Sequence, residues 1–207
     1  MDKLDKILRT GIWHITSLHG FRGIEKDQFI YPNINNRFKV TYSQTNNSVA
    51  KKNNCVSLFD LEDIKDEIYL DSIYTTQRHS IIFAHDPFSI ALNLDRNMLP
   101  AIIPYDKIEN KVGVIIGHME CIYTEPIPFS AIKRILILDD LNYNDFVVMN
   151  SNFTYENLRK EVNKMTPARL KKYCENKRKR QLEDKRMYEE ILKRRNELEN
   201  YKIEYGK

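Results

Sequence analysis

A chain of 207 residues with 42% hydrophobic and 11% aromatic residues suits one ordinary globular domain with an appendage. Its charge is uneven: residues 151–207 carry 17 Lys and Arg against 10 Asp and Glu, and the rest carry 16 against 19. A mildly acidic body with a basic tail points to an anionic partner, and no run approaches the roughly 18–20 apolar residues of a membrane span.

Three cysteines, Cys55, Cys121 and Cys174, stand far apart with no CxxC pair and one left over from any pairing. They read as reduced thiols in a cytoplasm, not as a disulfide framework. The opening MDKLDKILRTGIW lacks the apolar run of a signal peptide, so a cytoplasmic protein is expected.

Leu4, Ile7 and Leu8 give the opening a short amphipathic helix that ends near Gly11. Residues 11–16, GIWHIT, read as a buried strand rich in β-formers. Ser17 caps a short helix with Leu18, Phe21 and Ile24 on one side. Residues 29–31 form a second strand closed by Pro32, and the polar stretch 32–54 is mostly loop, with a helical turn near 48–52. Strands are expected over 55–61, with Asp60 near the exit, and over 80–84 and 88–94, the last two separated by a turn at Asp86-Pro87. Residues 62–74 read as helix or irregular structure. Further strand-like runs cover 112–116, 118–123 and 134–138, with a short helical turn before the last and Asp139-Asp140 as its stop. Short strands with one or two small helices describe an α+β fold, not alternating βαβ units.

Beyond residue 150 the character changes, which divides the chain into a domain over 1–150 and a charged helical extension over 151–207. Thr166-Pro167 reads as a helix start, with Thr capping and Pro at the first helical position. Ala, Leu, Glu, Lys and Arg dominate from there to about Tyr201, without a clean heptad, so a long exposed helix is expected.

Phosphate loops, dinucleotide fingerprints, GxSxG elbows and HExxH are absent. His118 and Cys121 stand three apart, no second pair completes a zinc site, and no metal is expected. Two places carry chemistry. One is Trp13-His14-Ile15-Thr16, an imidazole inside an apolar strand, which alone reads as a core histidine. The other is residues 118–138, HMECIYTEPIPFSAIKRILIL, in which Glu120 starts a strand that an Ile-Pro step ends. Alone, Glu120 reads as a surface carboxylate at a strand end.

Together the two stretches resemble the ADP-ribosyltransferase superfamily, in a general layout similar to the DarT-type toxins, which modify DNA. The likeness rests on WHITS before a short helix, on Glu120 followed by Ile-Pro and SAIKRI, and on NCVSLFDL (54–61) as the central strand of the cofactor cleft. It spans roughly residues 11–140.

The resemblance implies a split-sheet transferase core and NAD as the substrate that donates ADP-ribose. Glu120 would be the catalytic carboxylate. His14 would hold a ribose hydroxyl with Thr16 beside it, Ser57 would support the nicotinamide end, and Arg78 would contact the pyrophosphate. His14 and Glu120 are then expected to meet across one dinucleotide-sized cavity. His118, two residues before Glu120, stands where arginine-modifying members carry Gln or Glu, which argues against arginine as acceptor.

The function expected is an NAD-dependent ADP-ribosyltransferase acting on a macromolecule, as a toxin or phage-defence effector. The basic helix would engage a nucleic-acid or protein target, and the long helix could pair with another copy. The alternative is a non-catalytic module that uses the helix to dock nucleic acid or a protein. An RNA 2′-phosphotransferase would need paired arginines and histidines around a phosphate, a set this sequence does not offer.

Overall fold

The computed structural model describes residues 3–34, 48–62, 64, 88–109, 111, 119–139 and 142–205. Arg78, His118, the Asp86-Pro87 turn, nearly all of 62–74 and the strands expected over 80–84 and 112–116 lie outside the described residues.

Helix α1 (Lys3–Leu8) buries Leu4 and Leu8, and its end is tied by the Trp13 indole N–H, which donates to the Leu8 carbonyl at 2.6 Å. Strand β1 (Ile12–Ser17) runs into α2 (Leu18–Asp27), where the Ser17 hydroxyl caps the helix by accepting the Gly20 N–H at 3.0 Å. Gln28 ends α2 in the left-handed conformation (φ 61°). Then follow β2 (Phe29–Ile30), α3 (Val49–Lys52), β3 (Val56–Asp60), β4 (Phe88–Leu94), β5 (Glu120–Tyr123) and β6 (Ile127–Pro128). A 3-10 turn over Phe129–Ala131 leads into β7 (Ile132–Asp139), β8 (Asn142–Met149) and α4 (Tyr155–Tyr205).

Six strands form one antiparallel sheet in the order β5-β3-β1-β4-β7-β8, and β2 and β6 pair separately. The fold is therefore α+β with a mostly antiparallel sheet and a long C-terminal helix, as the short strands predicted.

All seven residues of β4 are buried, because apolar side chains cover the sheet on both faces. One layer gathers Ile12, Leu58, Ile90, Leu92, Ile135 and Ile137 with Phe21 and Ile24 of α2 and Leu158 and Val162 of α4. The other gathers Trp13, Phe59, Ala91, Leu136 and Leu138 with Leu4 and Leu8 of α1.

Helix α4 corrects one expectation. It begins at Tyr155, not at Thr166-Pro167: the Thr154 hydroxyl accepts the Asn157 N–H at 3.2 Å, and Pro167 lies inside the helix. Burial of Leu158 and Val162 on the sheet fixes the first turns, and a proline costs a helix interior one missing N–H donor. The chain divides into two compact units, Met1–Met165 and Thr166–Lys207. The first turns of α4 thus belong to the sheet domain, and the charged remainder is a unit by itself. Leu158→Ala should cost about 2–5 kcal/mol of domain stability. Leu182→Ala, at a position 60% exposed, should stay within about 0.5 kcal/mol. Denaturant titration of both variants checks the pair, and equal effects would remove α4 from the core.

Candidate functional site

The strands that carry the expected site residues lie side by side: β5 holds Glu120, β3 holds Ser57 and β1 holds His14 and Thr16. Pairing of β3 with β5 sets Phe59 opposite Glu120 and Ser57 opposite Ile122. Ser57 and Glu120 are therefore diagonal neighbours on one face, within reach of each other. The Ser57 hydroxyl donates to Oε1 of Glu120 at 2.8 Å. Glu120 is 5% exposed, a buried carboxylate.

Between β1 and β3 the ladder is short. It pairs Ile12 with Asp60 and Trp13 with Phe59 and stops there, although both strands continue. Leu61 N–H donates to the Gly11 carbonyl at 3.2 Å, so residues 11, 13 and 15 turn their backbone groups toward β3. The next bonded pair would join Ile15 and Ser57. Instead, the Ser57 carbonyl stands 3.0 Å from Nδ1 of His14. A carbonyl can only accept, so Nδ1 carries the proton and in the neutral ring Nε2 carries the lone pair.

Strand alternation sets Trp13, Phe59 and Glu120 on one face of the sheet, and the His14 Cβ with Ile12 and Thr16 on the other. The imidazole and the carboxylate thus start from opposite faces of the sheet, whereas the sequence reading expected them to meet across one cavity. A backbone carbonyl lies in the plane of the sheet and can be reached from either side. Ser57 therefore joins the two, its carbonyl to His14 and its hydroxyl to Glu120.

No protein-family model, curated protein or solved structure matches this chain.

Thr16 does not share the His14–Ser57–Glu120 chain of contacts. It is 8% exposed and packs under the first turn of α2, where a Cβ added at Gly20 would collide with the Thr16 hydroxyl. Glycine at position 20 is what lets the helix settle so close to the strand.

Near the exit of β3 lies a cluster that sequence reading missed. The Arg96 guanidinium is ion-paired with Asp60 and, at 2.9 Å, with Glu62. Partial burial works against its charge, yet bonds to the two carboxylates hold it more firmly protonated than usual. Nothing in the spacing of residues 60, 62 and 96 announces that contact.

Cys121 follows the buried carboxylate but points to the apolar layer, 1% exposed. Burial, reinforced by the charge of Asp60, pushes its thiol up to about 12. Burial also raises Cys55, whereas Cys174 is exposed. Both buried thiols stay protonated and inert at neutral pH. Brief native alkylation at pH 8 should therefore label Cys174 alone, read by peptide mass spectrometry. Labelling of Cys121 at a similar rate would contradict its burial.

Among the described residues no group of His, Cys, Asp and Glu is arranged to hold a metal ion, and no helix is long and apolar enough to cross a membrane.

Proposed function

We propose that this chain is an NAD-dependent ADP-ribosyltransferase that modifies a macromolecule, in keeping with a toxin or phage-defence role. The single observation that carries the reading is the bonded series His14–Ser57–Glu120 across three adjacent strands, at the point where β1 and β3 part. A buried carboxylate costs free energy unless it is bonded, and a sheet that stops pairing mid-strand gives up backbone hydrogen bonds. Both features are more readily understood as a binding edge than as packing.

The residues suit the substrate. Backbone N–H and C=O groups of Ile15, turned toward β3 beyond the last ladder pair, are the complement of a carboxamide such as that of nicotinamide. Glu120 supplies a negative charge where the ribose must become positive. In the reaction the C1′–N bond of NAD breaks, nicotinamide leaves with the bonding pair, and the acceptor's lone pair forms the new bond to C1′ as its proton passes to solvent. Glu120, held by Ser57, stabilises the oxocarbenium character of that transition state through a neighbouring ribose hydroxyl. His14 starts from the opposite face of the sheet and is tied to the site through the Ser57 carbonyl.

The extension fits a macromolecular target. Residues 171–180 contain six Lys and Arg and one Glu, and Lys171, Lys177, Arg178 and Lys179 are exposed. That density favours a phosphate-bearing partner, and nucleic acid is the target class we favour. The test is direct: the full chain is incubated with NAD, and free nicotinamide is followed by chromatography. Release above the uncatalysed rate supports the reading, and its absence at high protein concentration leaves only a binding module.

A further inference from the structure

Helix α4 runs on to Tyr205, and from Thr166 the chain is a compact unit by itself. We propose that residues 184–205 of this helix pair, in parallel and in register, with the same segment of a second copy of this chain. This pairing needs no part of the transferase reading and goes beyond it.

Alternating steps of four and three residues from Met187 read Met187, Ile191, Arg194, Leu198, Tyr201 and Tyr205. A repeat of that period sets one stripe of a helix against a partner helix. Met187 is 58% and Ile191 62% exposed, so this part of the stripe is uncovered in the single chain. The charge within it, Arg194, has its guanidinium bonded to Glu190 one turn back at 2.6 Å, which leaves its apolar stem for the seam. Leu182 and Leu192 stand off the stripe, as scattered apolar residues do on any surface. Earlier in the helix the same steps meet Lys177 and Arg180, where like charges hold two copies apart. That break is why the helix as a whole shows no clean heptad.

Charge beside the stripe selects both the partner and its direction. Glutamate precedes three of the seam positions, as Glu190, Glu197 and Glu204, and a base follows two, as Arg195 and Lys202. In a parallel pair each such glutamate faces the position five residues later on the other helix. Glu190 then meets Arg195 of the second copy, and Glu197 meets Lys202 of the second copy. An antiparallel pair sets glutamate against glutamate and base against base. The segment is therefore complementary to itself in one direction only. Parallel pairing also brings both copies of the basic stretch 171–180 to the same end, where two arms can grip one nucleic acid.

Sedimentation of the full chain from about 1 to 200 µM should follow a monomer passing into a dimer. Ile191→Glu and, separately, Met187→Glu set like charges at the seam and should each weaken the dimer at least about tenfold. Circular dichroism shows that each variant is folded. Glu190→Lys with Glu197→Lys should weaken it about as much, and adding Arg195→Glu and Lys202→Glu should restore it to within about threefold. An antiparallel pair would be indifferent to both steps. Spin labels on the exposed Cys174 should lie within about 40 Å of each other in the dimer, against about 60 Å for an antiparallel pair, at 1.5 Å of helix per residue. A chain still monomeric at about 200 µM overturns the pairing and leaves the stripe to another protein. So does a dimer that ignores both seam variants. A trimer, a charge swap that fails to restore the dimer, or the longer Cys174 distance refutes the parallel two-stranded form.

Discussion

Glu120→Gln should lower nicotinamide release from NAD by roughly 10² or more, on the scale of losing one preorganised charged group at a developing charge. The amide preserves shape and can still accept from Ser57, so the β3–β5 contact at 2.8 Å has a neutral equivalent. What disappears is the negative charge. In the transition state the ribose carries positive charge that the ground-state nucleotide lacks on that ring, so the loss falls on kcat more than on KM. Stability should move the other way or not at all, because a neutral amide is cheaper to bury than a carboxylate. A variant that is folded, binds NAD and turns over slowly is therefore the expected result. Parent-level turnover would remove Glu120 from the chemistry. Loss of activity together with loss of folding would make it a structural carboxylate instead. Single-turnover nicotinamide release beside a thermal melt distinguishes the three outcomes.

Much of the fold was legible because the informative patterns are local. The unbroken apolar run of β4, the Ser17 cap with Phe21 and Ile24 behind it, and the approach to β7 all depend on neighbours within a few residues. Strand β8 escaped notice because it starts NYND, and an edge strand is not obliged to be apolar on both faces. The start of α4 was misread for a related reason. Thr166-Pro167 has the chemistry of a helix start, but the helix is held earlier, by Leu158 and Val162 packing on a sheet that sequence periodicity cannot see. The same sequence position nevertheless marks the boundary between the two compact units.

The contact partners of the candidate site were legible as residues and not as geometry. His14, Ser57 and Glu120 could be picked out, but the bond between Ser57 and Glu120 spans 63 positions and depends on strand register. Register also decides faces: a one-residue step along β1 separates Trp13, which shares the face of Glu120, from His14, which does not. No composition or spacing carries that parity.

Removing residues 166–207 should leave nicotinamide release within about threefold of the full chain while modification of a macromolecular acceptor falls at least about tenfold. The first half of the expectation follows from the division of the chain. Met1–Met165 is a compact unit that holds His14, Ser57 and Glu120 together with the buried turns of α4, so the proposed NAD cleavage should need nothing beyond it. The second half follows from charge. Lys171, Lys177, Arg178 and Lys179 are exposed and stand on several sides of one helix, an arrangement suited to phosphates on more than one side rather than to a single acidic patch. If about six phosphates are neutralised, affinity for nucleic acid should fall about 10³-fold between 50 and 200 mM salt, and modification at limiting target should fall with it. Free NAD cleavage should ignore the same change in salt. Replacing Lys177, Arg178 and Lys179 by alanine should reproduce part of the loss and flatten the salt dependence, since each lost contact removes a released counterion. A truncated chain that still modifies its acceptor at the full rate would free the helix from target capture. One that loses NAD cleavage as well would place part of the active structure beyond Met165.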